Sequence, residues 1–528
     1  MRLAKLRLSR FFLPLIAVPT ATYLLYSFIR GELNWVQIIF SVFALIMGLF
    51  FYYYMREKPP TKIDEKLVTF LLHMYAVSHG QVDAEDLVNV VADNPDYGYY
   101  SKVFRKIRSL AKDLGYGFTK ATAKIAETVK TPLKDILVRC VEVFSTTQPK
   151  GYLELEETTM AEEYSGYYQR SIESIRTIGG IFSTIQSVIV FIVMTLDILT
   201  IFMADPNVVY YAYGVSAVAI LAIYAGLRAV VPGDALIHMD RKNQPALYRN
   251  FKLSLPIAAA CIAPTIIIAR MLGVPFAMLF YGAILVFPGL LANKFEYFVY
   301  KIDEHYPTFI KALGENMAST SDMKAALSYV LYMELGPLKA LLKKALARAR
   351  LGLSNEKALA MLSAEAGSHR VHSMNKIFVD AVNFGGDPLQ IGTLIGNRCV
   401  RLLEFRKRRL SVEKSFEAVV FLLQPLSVAL LIILTFLCRY FSQSLMSLPY
   451  FTFGEIPISV VEIGNIIIIV LITITNALGL NVAKGGFWGT TLLYAGILLM
   501  LSGVAWLGAE LFMNIAFGTT LQGFEQLI

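Results

Sequence analysis

The chain has 528 residues, 56% hydrophobic and only 17% charged, with a mean hydropathy of +0.54. Soluble domains are about a quarter charged, so a wholly water-soluble protein is excluded. The net charge of +9 is not a nucleic-acid signal here, because Lys and Arg collect on the cytoplasmic side of membrane proteins and set their orientation.

Residues 1–10 carry Arg2, Lys5, Arg7 and Arg10, and an apolar run, Phe11–Ile29, follows. That run is long for the apolar core of a signal peptide, and a second span follows at Trp35–Tyr54, so residues 1–54 read as a retained transmembrane pair. Residues 55–178 form a first soluble block with 17 Lys/Arg and 18 Asp/Glu. Apolar residues there recur at helical spacing, as in Val103, Phe104, Ile107, Leu110 and Ala111; Gly115 and Gly117 interrupt the pattern and helix resumes near Thr119. A small helical bundle is expected. A transmembrane pair at 179–231 follows, with spans near Ile181–Ala204 and Val208–Val231, and then a polar loop at 232–252.

The region 253–292 supplies spans near Leu253–Leu272 and Val274–Ala292. A second soluble block, 293–415, holds 19 Lys/Arg and 12 Asp/Glu. Residues 416–528 contain three further spans, near Phe416–Cys438, Ile458–Leu480 and Thr490–Phe512. Nine spans put the termini on opposite faces. The basic N-terminal tail, the 232–252 loop, both blocks and Lys484 fall on one side, which should be cytoplasmic, with the C-terminus outside.

Lys62–Phe70 and Lys301–Phe309 match at six of nine positions, 239 residues apart. The same offset carries spans one, two and three onto spans five, six and seven, carries span four onto span eight with a slip, and carries Asp83 onto Asp322. Two tandem units with parallel orientation are expected, each a pair of spans, a cytoplasmic domain and a second pair, plus a ninth helix. The fold class is therefore all-α and polytopic, about nine transmembrane helices with two cytoplasmic helical bundles.

No phosphate-cradling Gly-x-x-x-x-Gly-Lys-Ser/Thr loop occurs, and Lys484-Gly485-Gly486 has the wrong order for one. Hydrolase motifs are also missing, so the chain reads as neither an enzyme nor the holder of a cofactor. Cys140, Cys261, Cys399 and Cys438 suggest neither a disulfide framework nor a zinc knuckle. His369 and His372 are the closest histidines, and they read as part of a solvated polar loop. Asp197, Glu462 and Glu510 lie within or near spans and have no evident basic partner.

Two elements keep two readings each. Asp64/Glu65 and Asp303/Glu304 sit early in expected helices, where acids cap amides and favour the dipole, or they contact a partner. Gly385-Gly386-Asp387 precedes Pro388 and reads as a turn with a capping Asp, or as a partner contact.

The duplicated layout resembles the type II secretion F / type IV pilus PilC family, closest to archaellum-type (FlaJ-like) archaeal platform proteins. Phe384-Gly385-Gly386-Asp387-Pro388-Leu389 and the basic helices support the likeness; copy one departs, reading Phe144-Ser145-Thr146-Thr147-Gln148-Pro149. The resemblance implies a multi-pass cell-membrane platform, homodimeric, that couples a cytosolic hexameric ATPase to assembly of pilin-like or archaellin subunits. Archaellum, adhesive pilus and DNA-uptake pilus would look alike at this level. A secondary transporter with parallel repeats is the alternative, favoured by Pro256, Pro264 and Pro425 within spans.

On that reading the ATPase docks on two basic helices. One runs near 101–113 with Lys102, Arg105, Lys106, Arg108 and Lys112; the other runs near 338–350 with Lys339, Lys343, Lys344, Arg348 and Arg350. The bland reading of both is a solvated face. Arg406-Lys407-Arg408-Arg409 lies seven residues before span seven and is expected at lipid headgroups.

Overall fold

The computed structural model describes residues 62–146, 149–203, 207–240, 243–446 and 458–525. The expected spans Phe11–Ile29 and Trp35–Tyr54 lie outside the described residues, as does the side chain of Asp197. Every described helix belongs to the unit Ile63–Ile528.

The first block opens with α1 (Glu65–Val77), where Asp64 is the N-cap and accepts from the Leu67 amide at 2.9 Å. Helix α2 (Ala84–Ala92) starts in a reciprocal capping box between Asp83 and Asp86. A short turn at Pro95–Tyr97 leads to α3 (Tyr99–Lys112). Gly115 and Gly117, at φ +70° and +73°, then turn the chain into α4 (Phe118–Ala126), as the sequence led one to expect, and α5 (Leu133–Val143) follows.

Helix α6 (Lys150–Met203) leaves the first block and runs on into span three without interruption. Helix α7 (Asn207–Val230) returns. Span five is broken at Cys261 into α8 (Ala246–Ala260) and α9 (Ile262–Met271), because Pro264 has no N–H to offer the preceding turn. Helix α10 (Val274–Thr320) carries span six into the second block, which contains α11 (Met323–Val330), α12 (Pro337–Arg350), α13 (Asn355–Ala366) and α14 (His369–Asn383). Helix α15 (Pro388–Met446) leaves it for span seven, and α16 (Ile458–Lys484) and α17 (Thr490–Glu525) complete the membrane part. With α8 and α9 counted together as Ala246–Met271, seven helical stretches among the described residues are long and apolar enough to cross a membrane, and they match the expected spans three to nine.

The soluble blocks are not set off from the spans by loops. Helices α6, α10 and α15 have 54, 47 and 59 residues. At 1.5 Å per residue they are about 70–90 Å long, against a hydrocarbon core of about 30 Å. Each therefore projects far beyond the bilayer as a single rod.

Glycine sets the closest membrane packing. A Cβ on Gly282 of α10 would lie 2.8 Å from the Gly496 carbonyl of α17, and one on Gly289 would lie 2.4 Å from Leu493 Cα. The backbones approach this closely only because no side chain intervenes. Inside the bundle, Gln424 of α15 donates to Thr473 at 2.8 Å and Ser502 at 3.0 Å and accepts from Asn476 at 2.8 Å. That network joins α15, α16 and α17 and leaves few polar atoms facing hydrocarbon.

The two blocks share one apolar core rather than forming separate bundles. Helix α1 is buried nearly all round and packs against both α6 and α14, so Leu67, Phe70, Leu71 and Met74 lie in one cluster with Ile377 and Phe378. Polar links cross the same seam: the Gln81 amide donates to the Phe384 carbonyl at 3.1 Å, buried His73 has Nε2 3.1 Å from Asp380, and Arg398 pairs with buried Glu157.

Candidate functional site

Buried charges gather where the long helices meet the 232–240 segment. Residues Leu236 to His238 run antiparallel to the start of α14: His369 donates its amide to the Leu236 carbonyl at 3.1 Å, and His238 donates to the Gly367 carbonyl at 3.0 Å. Asp234 then accepts from Tyr168 at 2.6 Å and from Arg409 at 2.7 Å.

Arg409 is the hub. Its Nε donates to the Ala483 carbonyl at 2.8 Å, Nη2 to the Val482 carbonyl at 2.7 Å, and Nη1 to the Pro232 carbonyl at 3.2 Å. Two of these carbonyls end α16, where free acceptors and the negative dipole end favour a cation. The following residue is Gly485 at φ +66°, and a Cβ there would come 2.5 Å from the guanidinium carbon. The Lys484-Gly485-Gly486 stretch is thus a cradle for an arginine and its neighbours. Lys484 lies 3.1 Å from Glu296, and Glu296 accepts from the Phe487 amide at 3.0 Å.

Asp303, about two turns after Glu296 on α10, lies 3.2 Å from Arg406 and 4.0 Å from Arg370 and accepts from the Ser368 hydroxyl. This corrects one expectation. Asp64 is a helix cap, but Asp303 sits in the interior of α10 and is buried, so it neither caps amides nor faces a partner. Its neighbour Glu304 is partly exposed and pairs with Lys301 at 2.8 Å.

A second correction concerns 406–409. Arg406 and Arg409 are buried and ion-paired inside the protein, whereas Lys407 and Arg408 are exposed. Residues three apart share a helix face, so the run divides into an inward pair and an outward pair. Of the outward pair, Lys407 lies 3.8 Å from Glu304.

The remaining singled-out residues fall as follows. On α3, Lys102, Arg105 and Lys106 are exposed, but Arg105 donates to the Ala92 carbonyl at 2.8 Å, Arg108 to Asp93 at 2.8 Å, and Lys112 pairs with Glu85. Much of that positive face is therefore engaged by α2. On α12, Lys343 and Lys344 are exposed, Lys339 is half-buried, and Arg348 pairs with Glu365. Gly385 (φ +88°) and Asp387 are exposed in a turn, with Asp387 accepting from the Leu389 amide at 3.1 Å; Gly386 is buried against Ile391 and the Ala381 carbonyl. In the membrane, Glu462 pairs with Arg439 at 2.7 Å and Glu510 accepts from Trp506 at 2.7 Å, so neither acid stands alone.

His369 and His372 are not in a solvated loop. They form the first turn of α14 and are partly buried; His372 lies 3.0 Å from Asp96, and its ring stacks on His238. Burial pushes His238 and His369 down to about 4. Asp96, Asp234 and Arg370 carry no signal in the sequence because their partners are far away in the chain, and the partners of Glu65, His369 and His372 are hidden for the same reason.

Glu65 carries a titration. Burial and the charge of Asp234 push its carboxyl up to about 7, partly offset by Arg370 and by a hydrogen bond from the Ala235 amide. A carboxyl raised above its ordinary 4.5 gives a contribution to stability that is fully present below about 4.5 and is lost as pH rises through about 7. Glu65→Gln should therefore melt with wild type near pH 4.5 and above it at pH 8, as read by thermal unfolding across pH; parallel curves would rule out this assignment.

No protein-family profile matches the chain, and no solved structure matches it. Among curated proteins it is 22% identical over 434 residues to "Flagella accessory protein J" of Methanocaldococcus jannaschii, covering 78% of this chain and 77% of that protein. The protein of the same name from Methanococcus voltae is 21% identical over 399 residues, covering 71% of each chain. These likenesses bear out the archaellum-type resemblance drawn from the sequence. Over most of its length, this membrane protein is a distant homologue of archaeal flagella accessory protein J.

Proposed function

We propose that the chain is the membrane platform of an archaellum- or type IV pilus-like assembly machine, not itself an enzyme. A separate cytosolic ATPase pushes on its cytoplasmic helices, and the motion reaches filament subunits in the bilayer. The observation that carries this reading is the continuity of α6, α10 and α15 from the cytoplasmic blocks into the membrane. A rod fixed at one end by the Arg409 and Asp303 clusters passes displacement to the other end. Internal ion pairs supply no energy, so a motor must.

Within this reading the chain consists of two tandem units. The order of helices supports it: starts at Ala84, Tyr99, Phe118, Leu133 and Lys150 are followed by starts at Met323, Pro337, Asn355, His369 and Pro388. The N-terminus is cytoplasmic, the C-terminus outside, and the platform works as a homodimer.

The ATPase docks on α12, whose lysines are less engaged than the basic residues of α3, with Lys344 reaching Glu365 at 3.8 Å. Lys339, Lys343 and Lys344 are changed to Glu for the test, and Arg348 is left in its pair with Glu365. Filaments should be lost and ATPase affinity should fall about tenfold or more, roughly 1.4 kcal/mol, with membrane insertion unchanged. Normal filaments and unchanged affinity in a pull-down would remove α12 from the mechanism.

A further inference from the structure

We propose that Asp96, His238 and His372 form a binding site for a zinc-class divalent cation, which fastens the two cytoplasmic blocks to the 232–240 segment. Asp96 comes from the turn before α3, His238 from the segment between α7 and α8, and His372 from the first turn of α14. Their ligand atoms all lie within 4.8 Å of one another. The His238 and His372 rings are stacked, 3.6 Å between centroids and 9° from parallel, a contact that two imidazolium cations would oppose.

Backbone bonds pin all three residues. The Asp96 amide donates to Asn94 Oδ1 at 3.2 Å, the His238 amide to the Gly367 carbonyl at 3.0 Å, and the His372 amide to the Ser368 carbonyl at 3.2 Å. Binding an ion requires the His238 and His372 rings to turn out of their stack, since in-plane lone pairs of parallel rings do not converge; that rotation brings two imidazole nitrogens and one carboxylate oxygen to the bond lengths zinc requires, about 2.0–2.2 Å. Two nitrogen donors favour zinc, cobalt or nickel over magnesium and calcium, which prefer oxygen. All three residues are only partly buried, so an ion and a completing water can reach them. His369 stands beside the site, its ring centroid 6.5 Å from that of His238 and its Nε2 3.5 Å from the Ser373 hydroxyl.

The site predicts one saturable cation per chain. Tag-free full-length protein in detergent is stripped with chelator and titrated with Co2+, following visible absorption bands, and then competed with Zn2+. Wild type should bind one equivalent. His238→Ala and Asp96→Asn should weaken binding about a hundredfold, as should His372→Gln, which keeps a hydrogen-bonding side chain beside Asp96. His79→Ala, whose ring faces the Tyr75 carbonyl at 3.0 Å elsewhere, should bind as wild type does. Absence of saturable cobalt binding in folded wild type would overturn the proposal. Equal affinity in wild type and the His238→Ala, His372→Gln double variant would overturn it too, by placing the metal elsewhere.

Discussion

Arg409→Ala should destabilise the protein by about 3–5 kcal/mol, the range expected when one partner of a buried ion pair is removed. The guanidinium is almost wholly buried and has four acceptors: Asp234 and the carbonyls of Pro232, Val482 and Ala483. Without it, the carbonyls of Pro232, Val482 and Ala483 lose their shared donor, and Asp234 keeps the Tyr168 hydroxyl but loses its close cation. Arg409→Lys should recover only part of the loss, since a single ammonium cannot span acceptors that a planar fork reaches from two sides. Arg408→Ala, one residue away on the exposed face, should change little. Thermal unfolding in detergent, with limited trypsin digestion of the 484–489 turn, checks all three. If Arg408→Ala proved as damaging as Arg409→Ala, the run would be acting as a headgroup anchor after all.

That pair of arginines shows what the sequence made legible and what it did not. Local signals read well. Asp83 and Asp322 open apolar helices, Gly115 and Gly117 close one, and each described span was visible as an apolar run. All of these depend on residues within a turn or two of each other. The 406–409 run looks like one basic patch in the sequence, although its helical period assigns 406 and 409 to one face and 407 and 408 to others. The long rods were missed for a related reason. The change from polar to apolar composition inside α6 looked like a domain boundary, yet the chain from Lys150 to Met203 contains no proline, and nothing breaks the helix there. The histidine cluster had no local signal, since Asp96, His238 and His372 approach one another only once the shared core has formed.

The repeated Lys-Ile-Asp-Glu element leads to the second large effect. In the first copy, Asp64 caps α1 and accepts from the Tyr100 hydroxyl at 2.8 Å at a partly exposed position. In the second copy the helix does not begin there, so Asp303 is free of capping and turns inward to Arg406, Arg370 and Ser368. Ser368 in turn caps α14, accepting from the Val371 amide at 3.2 Å. One carboxylate thereby joins α10, α14 and α15, two of which run on into membrane spans.

Asp303→Ala should cost about 3–5 kcal/mol, because it leaves the buried Arg406 and the mostly buried Arg370 guanidinium groups without the anion between them. Asp303→Asn should cost less, as it can still accept from Ser368 while losing the charge. The discriminating measurement is a double-mutant cycle with Arg406→Met. Removing Arg406 along with Asp303 also removes the repulsion between the two guanidinium groups and leaves only Arg370 without this anion, so the double variant should be clearly more stable than the sum of the two single losses predicts, by about 1 kcal/mol or more. Simple additivity would mean that Asp303 and Arg406 act independently and that this junction is not what holds α10 to α15. Glu304→Ala, which breaks only partly exposed pairs with Lys301 and Lys407, should leave the melting transition nearly unchanged.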